Sequence, residues 1–314
     1  MITHQAITCT KQTYMNKVSD SLKNDPSEIK QEFSNINIKL LCCRYWILQE
    51  WQCSDLSVPF WRIYHNNIGD AKIHFNGRYT SLNKQTIVII PPHTAFSTTI
   101  GNFGRNHQQE SIVGRKFERR DDIHTLTDYH RVDHLFIHFS LGFPLDFVQT
   151  GIYTISCNST LQALIEDIQI SCIDDTHFNL LECLRIKQLI NSCLLNIREN
   201  IWKVDTVDPR IFIAMKTIER NFNQGISNAD LANTANMAVN SFSRLFKTCT
   251  GFSVQQYIAK TKIEVACNLM HHSSKTIDEI AYTCGFYDRH HFSKIFKRQM
   301  KVNPSYYMKN LIIS

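Results

Sequence analysis

One helical phrase is written twice toward the C-terminal end of this chain, as DLANTANMAVNSFSRLFK (Asp230–Lys247) and then as EIAYTCGFYDRHHFSKIFK (Glu279–Lys297). Asp230, Leu231 and Ala232 match Glu279, Ile280 and Ala281 at an offset of 49. Phe242, Ser243, Arg244, Phe246 and Lys247 match Phe292, Ser293, Lys294, Phe296 and Lys297 at an offset of 50, so the second turn is one residue longer. The register continues to the pair Tyr257 and Tyr307. A unit this short, present only twice, argues against a solenoid, which needs three or more repeats to bury a continuous core. Two small helix-turn-helix units tied together in one polypeptide are the expectation.

Start and stop signals support it. Ser227-Asn228-Ala229-Asp230 and Thr276-Ile277-Asp278-Glu279 are capping arrangements placed just before apolar runs. The hydroxyl takes a free N–H of the first turn, and the acid complements the positive helix start. Leu231, Ala232 and Ala235, then Ile280, Ala281 and Cys284, put small residues where a second helix must approach closely. Gly285 supplies a left-handed turn residue, and Asn236 is its counterpart in the first copy. Asp288 reads as the N-cap of the next helix, whereas Ala238 in the first copy caps poorly.

At 100° per residue Phe242, Leu245 and Phe246 share one side of the first copy's second helix, which leaves Asn240, Arg244 and Lys247 opposite, with Ser243 at the flank. In the second copy Phe292, Ile295 and Phe296 face inward. His290, Lys294 and Lys297 then face outward, with Arg289, Ser293 and Arg298 beside them. Arg forks onto guanine, Asn onto adenine, and Lys reaches guanine or phosphate, so these residues suit a major groove. Any surface helix shows Lys and Arg opposite its apolar stripe, but two such faces in register are harder to explain that way. Charge agrees: from Val207 onward there are 14 Lys and Arg against 7 Asp and Glu, while the rest of the chain has 20 against 21. A basic domain gains affinity by neutralising phosphates and releasing counterions. Double-stranded DNA is therefore the expected partner, and no stripe rich in Lys and Trp suggests a membrane surface.

SRLFKTCTGFSVQQYI (Ser243–Ile258), IDEIAYTCGFYDRHHFSKIFKRQMKVNPSYY (Ile277–Tyr307) and the Pro304-Ser305-x-Tyr307 ending resemble the AraC/XylS family of bacterial transcription regulators over about Asp208 to Lys309. The resemblance implies two helix-turn-helix subdomains joined by a rigid helix near Val254–Met270, roughly 25 Å long. The recognition helices would enter successive major grooves about 34 Å apart. Ala238 stands where the family usually has Ser, and Lys301 where it usually has Gly, although Gly251 is kept in the first copy. Activation and contact with RNA polymerase are further implications.

The other two-thirds change character. Residues 1–40 read as a polar arm, 41–203 as a sensor and dimerisation domain, 204–207 as a short linker, and 208–310 as the DNA-binding domain. Trp61–Tyr64, Ala71–Phe75, Thr86–Ile90 and His134–Phe139 are strand-like, and Asn76-Gly77 and Pro91-Pro92 read as turns. Gly101–His130 reads as a long polar excursion between strands. Leu161, Leu164, Ile165 and Ile168 make one helical stripe, and Ile186, Ile190, Cys193 and Ile197 another, either covering the strands or meeting a second copy in a homodimer. Relatives commonly carry a small-molecule-sensing barrel of cupin type here. The expected fold class is thus α+β and multidomain, a cupin-like β-barrel with packed helices followed by an all-α domain.

Trp46, Trp61, Tyr64, His134 and His138 are the candidates to contact an unidentified small effector. His93, His107, His124, His130, His134 and His138 fall within fifty residues, but the cupin His-x-His, Glu and later His pattern is missing, so neither metal nor cofactor is expected. Eleven cysteines, odd in number and without C-x-x-C, suit a reduced cytoplasm. Cys249, Cys267 and Cys284 read as core thiols. No Pro-Cys-His triplet supports alkyl transfer, and no signal or membrane-spanning stretch is evident. A regulator, not an enzyme, is the expectation. The competing readings are a cupin-like enzyme with an autoregulatory DNA domain, and a ligand-independent regulator whose first domain binds a protein.

Overall fold

Alternation and bulges shape the first half of the molecule. The computed structural model describes residues 36–100, 111–121, 131–142, 145–174, 178–198, 201–202, 208–300 and 302–311. The strands are β1 (Lys39–Leu56), β2 (Trp61–His65), β3 (Ala71–Phe75), β4 (Arg78–Leu82), β5 (Thr86–Ile90), β6 (Phe96–Ile100), β7 (Ser111–Lys116), β8 (Val132–Ser140) and β9 (Tyr153–Ser156). They pair antiparallel in the order β4-β3-β6-β1-β8-β2-β5-β9, with β7 on β1. The 18-residue β1 serves β8, β7 and β6 in turn, and its register shifts near Leu40/Cys42, Leu48/Glu50 and Cys53/Leu56. Each bulge adds a local bend and twist, which lets one strand serve a curled sheet.

The two faces of that sheet have different cores. Leu48, Trp51, Tyr64, Ile73, Val88, Phe96 and Phe136, drawn from opposite halves of the sheet, meet in one inner cluster. Trp61, Ile63, Leu135, Ile137 and Phe139 point the other way, onto helices α1 (Ser159–Asp174) and α2 (Leu180–Leu195). Leu161, Leu164, Ile165, Ile168, Ile186, Ile190, Cys193 and Ile197 all join that outer core, so both helical stripes cover the sheet. Leu180, Leu181, Leu184 and Leu195 remain exposed along α2.

The polar excursion from Gly101 needs correction. It contains β7, whose Trp46↔Lys116 to Gln52↔Ser111 pairing with β1 supplies what its own sequence does not. Gly114 makes this possible, since a Cβ there would sit 2.6 Å from the Ile47 carbonyl oxygen. Residues 1–35, the 203–207 stretch that includes the expected linker, and Lys301 lie outside the described residues.

The second half is helical: α3 (Pro209–Asn221), α4 (Asn228–Thr234), α5 (Val239–Thr250), α6 (Val254–His272), α7 (Ile277–Thr283), α8 (Arg289–Met300) and α9 (Pro304–Leu311). One core gathers Ile211, Met215, Leu231, Phe242, Phe246, Val254 and Ile258. Another gathers Ile263, Cys267, Met270, Ile280, Phe292, Phe296 and Tyr307. Sheet and helices belong to one unit running from Ile38 to the end of the chain.

The inner cluster holds a histidine in its neutral form. Burial lowers the His134 pKa to about 3, and its Nδ1 pairs with Asn66 Oδ1 at 2.8 Å. The unfolded chain takes up this proton below about 6.5 while the folded chain refuses it. The contribution to stability is thus full above pH 6.5 and declines as pH falls toward 3. Urea titrations between pH 7 and 4.5 should show a loss of up to about 1.4 kcal/mol per pH unit from this residue. His134→Gln should flatten the slope by about one proton; an unchanged slope would assign the acid sensitivity elsewhere.

Candidate nucleic-acid interface

The two readers are built alike to the level of single hydrogen bonds. Ser227 Oγ accepts from Asp230 N at 3.1 Å while Asp230 Oδ2 accepts from Ser227 N at 3.0 Å. Thr276 and Glu279 repeat that reciprocal cap at 3.3 and 2.7 Å. After each short helix the chain turns on a left-handed residue, Asn236 (φ 51) or Gly285 (φ 69). Met237 N then donates to Ala232 O at 2.9 Å, and Phe286 N to Ala281 O at 3.0 Å. These bonds keep the 49-residue offset, so the additional residue of the second copy lies after them. It is used to place Asp288, whose Oδ1 accepts from His291 N at 2.7 Å. Ala238 offers α5 no such cap.

Burial sorts the second helices as the periodicity does. Phe242 and Phe246 are fully buried with ring centroids 5.7 Å apart, and Phe292 and Phe296 repeat this at 5.5 Å. Asn240, Arg244 and Lys247 are exposed on α5 and Ser243 is half-buried. Arg289, His290, Lys294, Lys297 and Arg298 are exposed on α8, and Ser293 is half-buried. Arg289 is tied back to α7, its Nη1 donating to Asp278 Oδ2 at 2.9 Å, which steadies the start of α8. Two residues passed over in the sequence flank the second turn: Tyr282 and Tyr287 are 85% and 95% exposed. Tyrosine hydroxyls commonly contact phosphate, and the available signal was that both lie off the apolar stripe.

A single helix spaces these faces. The N-terminal half of α6 gives Val254 and Ile258 to the first core, and its C-terminal half gives Ile263, Ala266, Cys267 and Met270 to the second. Its 19 residues span roughly 28 Å. Lys262 on α6 donates to Gly285 O at 2.6 Å and lies 5.2 Å from the Phe286 ring, so this cation braces the second turn. Cys267 and Cys284 are buried and Cys249 packs at the edge of the first core, the thiol positions expected.

Of the five effector candidates, four share the inner face of the sheet. Tyr64 lies 4.9 Å from His134 and 6.4 Å from His138, and Trp46 lies 6.3 Å from Phe136 (ring centroids). Trp61 is on the opposite face, donating from Nε1 to Asp146 at 2.9 Å and stacked on Phe139. An odd separation along one strand sends Trp61 and Tyr64 to opposite faces. The inner face also holds a residue the sequence did not single out. Arg62 is fully buried, its guanidinium 4.4 Å from the Phe96 ring centre, and burial lowers its pKa. Its Nη2 donates to Thr94 O at 3.0 Å, whereas Nε and Nη1 make no well-directed hydrogen bond, the Tyr64 hydroxyl being the polar side chain that acts on the charge.

Residues 231–310 match the family model of a helix-turn-helix domain. The HTH-type transcriptional activator RhaS of Enterobacter sp. (strain 638) is 30% identical over 97 residues, 31% of this chain and 35% of that protein. The HTH-type transcriptional activator RhaR of Mannheimia succiniciproducens is 26% identical over 154 residues, 48% of this chain and 55% of that protein. Residues 231–310 form a helix-turn-helix domain similar to those of AraC-type regulators. The chain spans only about a third to a half of the length of these curated relatives. Among solved structures, unsaturated fatty acid bound ToxT from Vibrio cholerae aligns over 90% of this chain and 98% of its own. It is 15% identical, with a TM-score of 0.49.

The turn glycines of this family domain here have unequal duties. Gly285 needs its positive φ, and a Cβ there would lie 2.4 Å from the Asn223 carbonyl oxygen in the turn just past α3. Gly251 also has positive φ, but a Cβ would meet open space. Gly251→Ala should cost roughly 1–2 kcal/mol, the left-handed penalty alone. Gly285→Ala should cost clearly more in thermal unfolding, because backbone must move as well. Equal losses would mean that the Asn223 contact is not tight.

Proposed function

We propose that this protein is a cytoplasmic, sequence-specific DNA-binding transcription regulator, acting as an activator, whose two recognition helices α5 and α8 enter successive major grooves. The observation that carries the reading is the pair of exposed faces, Asn240-Arg244-Lys247 and His290-Lys294-Lys297, presented in register from the two ends of one rigid helix. The charge asymmetry and the activator relatives support it. Among the described residues no helix is long and apolar enough to cross a membrane. RNA polymerase and a second copy of the chain are the further partners in this reading, the exposed leucines of α2 offering the second copy an apolar face.

In this reading the sheet domain senses a small molecule. Arg62 supports an acidic one, since a carboxylate beside the buried guanidinium would offset its charge and accept from an N–H that has no good protein acceptor. Arg62→Met should leave thermal stability unchanged or raised while removing any stabilisation by small carboxylic acids. Stabilisation by an acid that survives this change would place the effector elsewhere.

Base reading and phosphate anchoring separate experimentally. Arg244→Ala should weaken the cognate site by roughly 1–3 kcal/mol and relax preference at one or two base pairs. Lys297→Ala, near the end of α8, should weaken cognate and random DNA alike and lower the salt slope by about one. Titrations on a site library at two salt concentrations decide between them. If Arg244→Ala loses affinity without altering base preference, Arg244 is an electrostatic anchor and the reading face is misassigned.

A further inference from the structure

Cys42, His138 and His272 converge where the sheet meets the end of α6. Cys42 on β1 and His138 on β8 are direct cross-strand partners, and His272 is the last residue of α6. The Cys42 sulfur and one nitrogen of each imidazole all lie within 4.8 Å of one another. His138 Nδ1 and both ring nitrogens of His272 are shut away from solvent without a protein hydrogen-bond partner. One such atom costs about 1–3 kcal/mol, and three in one place need a structural reason. The far sides of both rings are apolar: the Phe60 centroid lies 4.8 Å from His138 and 5.3 Å from His272.

We propose that Cys42, His138 and His272 bind one cuprous ion, Cu+, which fastens the DNA-reading helices to the sheet domain through the end of α6. Ligand type narrows the choice to soft cations, because a thiolate with imidazoles suits Cu+ or Zn2+ and not Mg2+ or Ca2+. Charge then separates the two. Cu+ and the Cys42 thiolate cancel, whereas Zn2+ would leave a net positive charge beside the guanidiniums of Arg62 and Arg44, which already act against a charged His138. The three donors also satisfy trigonal Cu+, while Zn2+ almost always takes a fourth. Metal–sulfur and metal–nitrogen bonds of about 2.3 and 2.0 Å put neighbouring donors about 3.6 Å apart. Inward rotation of the side chains by about 1 Å brings the donors to that spacing. As the copper–sulfur bond forms, the Cys42 S–H bond breaks and its proton leaves to solvent. The imidazoles bind as neutral rings through a lone pair and release none. Copper stays in one oxidation state.

The site does not depend on the DNA reading, but its consequence does, because α6 carries both readers and fixing its end sets how they stand against the sheet. The test is an anaerobic titration of the full chain with Cu+ in competition with a chromophoric chelator, read by chelator absorbance and copper per chain. Other thiols could take copper, so Cys157→Ser, outside the cluster, is the control. One Cu+ per chain is expected. Cys42→Ser and His272→Gln should weaken binding by more than about a hundredfold, with Cys157→Ser unchanged. Metal-free thermal unfolding confirms that each variant is folded, and His138→Gln is the alternate should one fail. Tight binding retained in His272→Gln, no chelator-resistant copper in the parent chain, or equimolar Zn2+ displacing Cu+ each overturns the proposal. Binding to the cognate DNA is measured with and without Cu+; at least a tenfold change in the parent chain, absent in His272→Gln, is the expected coupling. Copper bound at His272 with unchanged DNA affinity overturns the coupling, and DNA binding that fails altogether sinks the regulator reading without touching the site.

Discussion

The helix α6 is the member on which everything else hangs, because its side chains are divided among three neighbours. Val254 and Ile258 belong to the first reader's core, and Ile263, Cys267 and Met270 to the second's. Between them Glu264 faces the sheet, bonded to His93 at 3.2 Å and to Lys260 at 2.9 Å. Burial pushes the Glu264 carboxyl up, but Lys260 and His93 more than reverse this and hold it at about 2. At the far end His271 and His272 close on Phe60. A helix divided this way cannot tilt without disturbing two cores, so the spacing of the readers is stiff. Its contact with the sheet is narrower and more polar, and that is where the molecule can give.

How much of this was legible in the sequence follows from the range of the interactions. The readers were legible because their determinants are local: Ser227 finds Asp230 three residues on, Gly285 finds its φ within its own turn, and Phe242 finds Phe246 one helical turn away. The strand β7 was not, because SIVGRK carries little alternation and owes its state to β1. The full length of β1 was hidden for a related reason, since each bulge resets the period by which a strand is recognised. Trp61 is a different case, lying on the face opposite Tyr64. Its parity against Tyr64 was readable, and clustering by residue type alone overrode it.

The histidines show the same limit at its sharpest. Strand alternation puts His134 and His138 on one face, but the strand region lacks the cupin pattern of His-x-His, Glu and a later His. The structure brings His272 to them from the end of α6, and Cys42 from a strand about a hundred residues earlier. Convergence of this kind leaves no spacing signature. It becomes visible only as unpaired nitrogens in a buried place.

In the proposed reading, those same residues give a change inside the sheet a route to the DNA-reading helices. Arg62 and His138 are cross-strand partners on β2 and β8, and Cys42 is the partner of His138 on its other side. Anything that neutralises Arg62 or engages Cys42 acts within one strand spacing of the ring that meets His272. The His138 and His272 rings, 5.3 Å apart, are neutral and have little affinity for each other beyond packing. Such a contact is inexpensive to break and gains much from a ligand that bridges it, which is the condition for a ligand to shift a two-state equilibrium. The readers themselves need not deform. Their spacing is set by α6, and only the angle at which α6 leaves the sheet has to change.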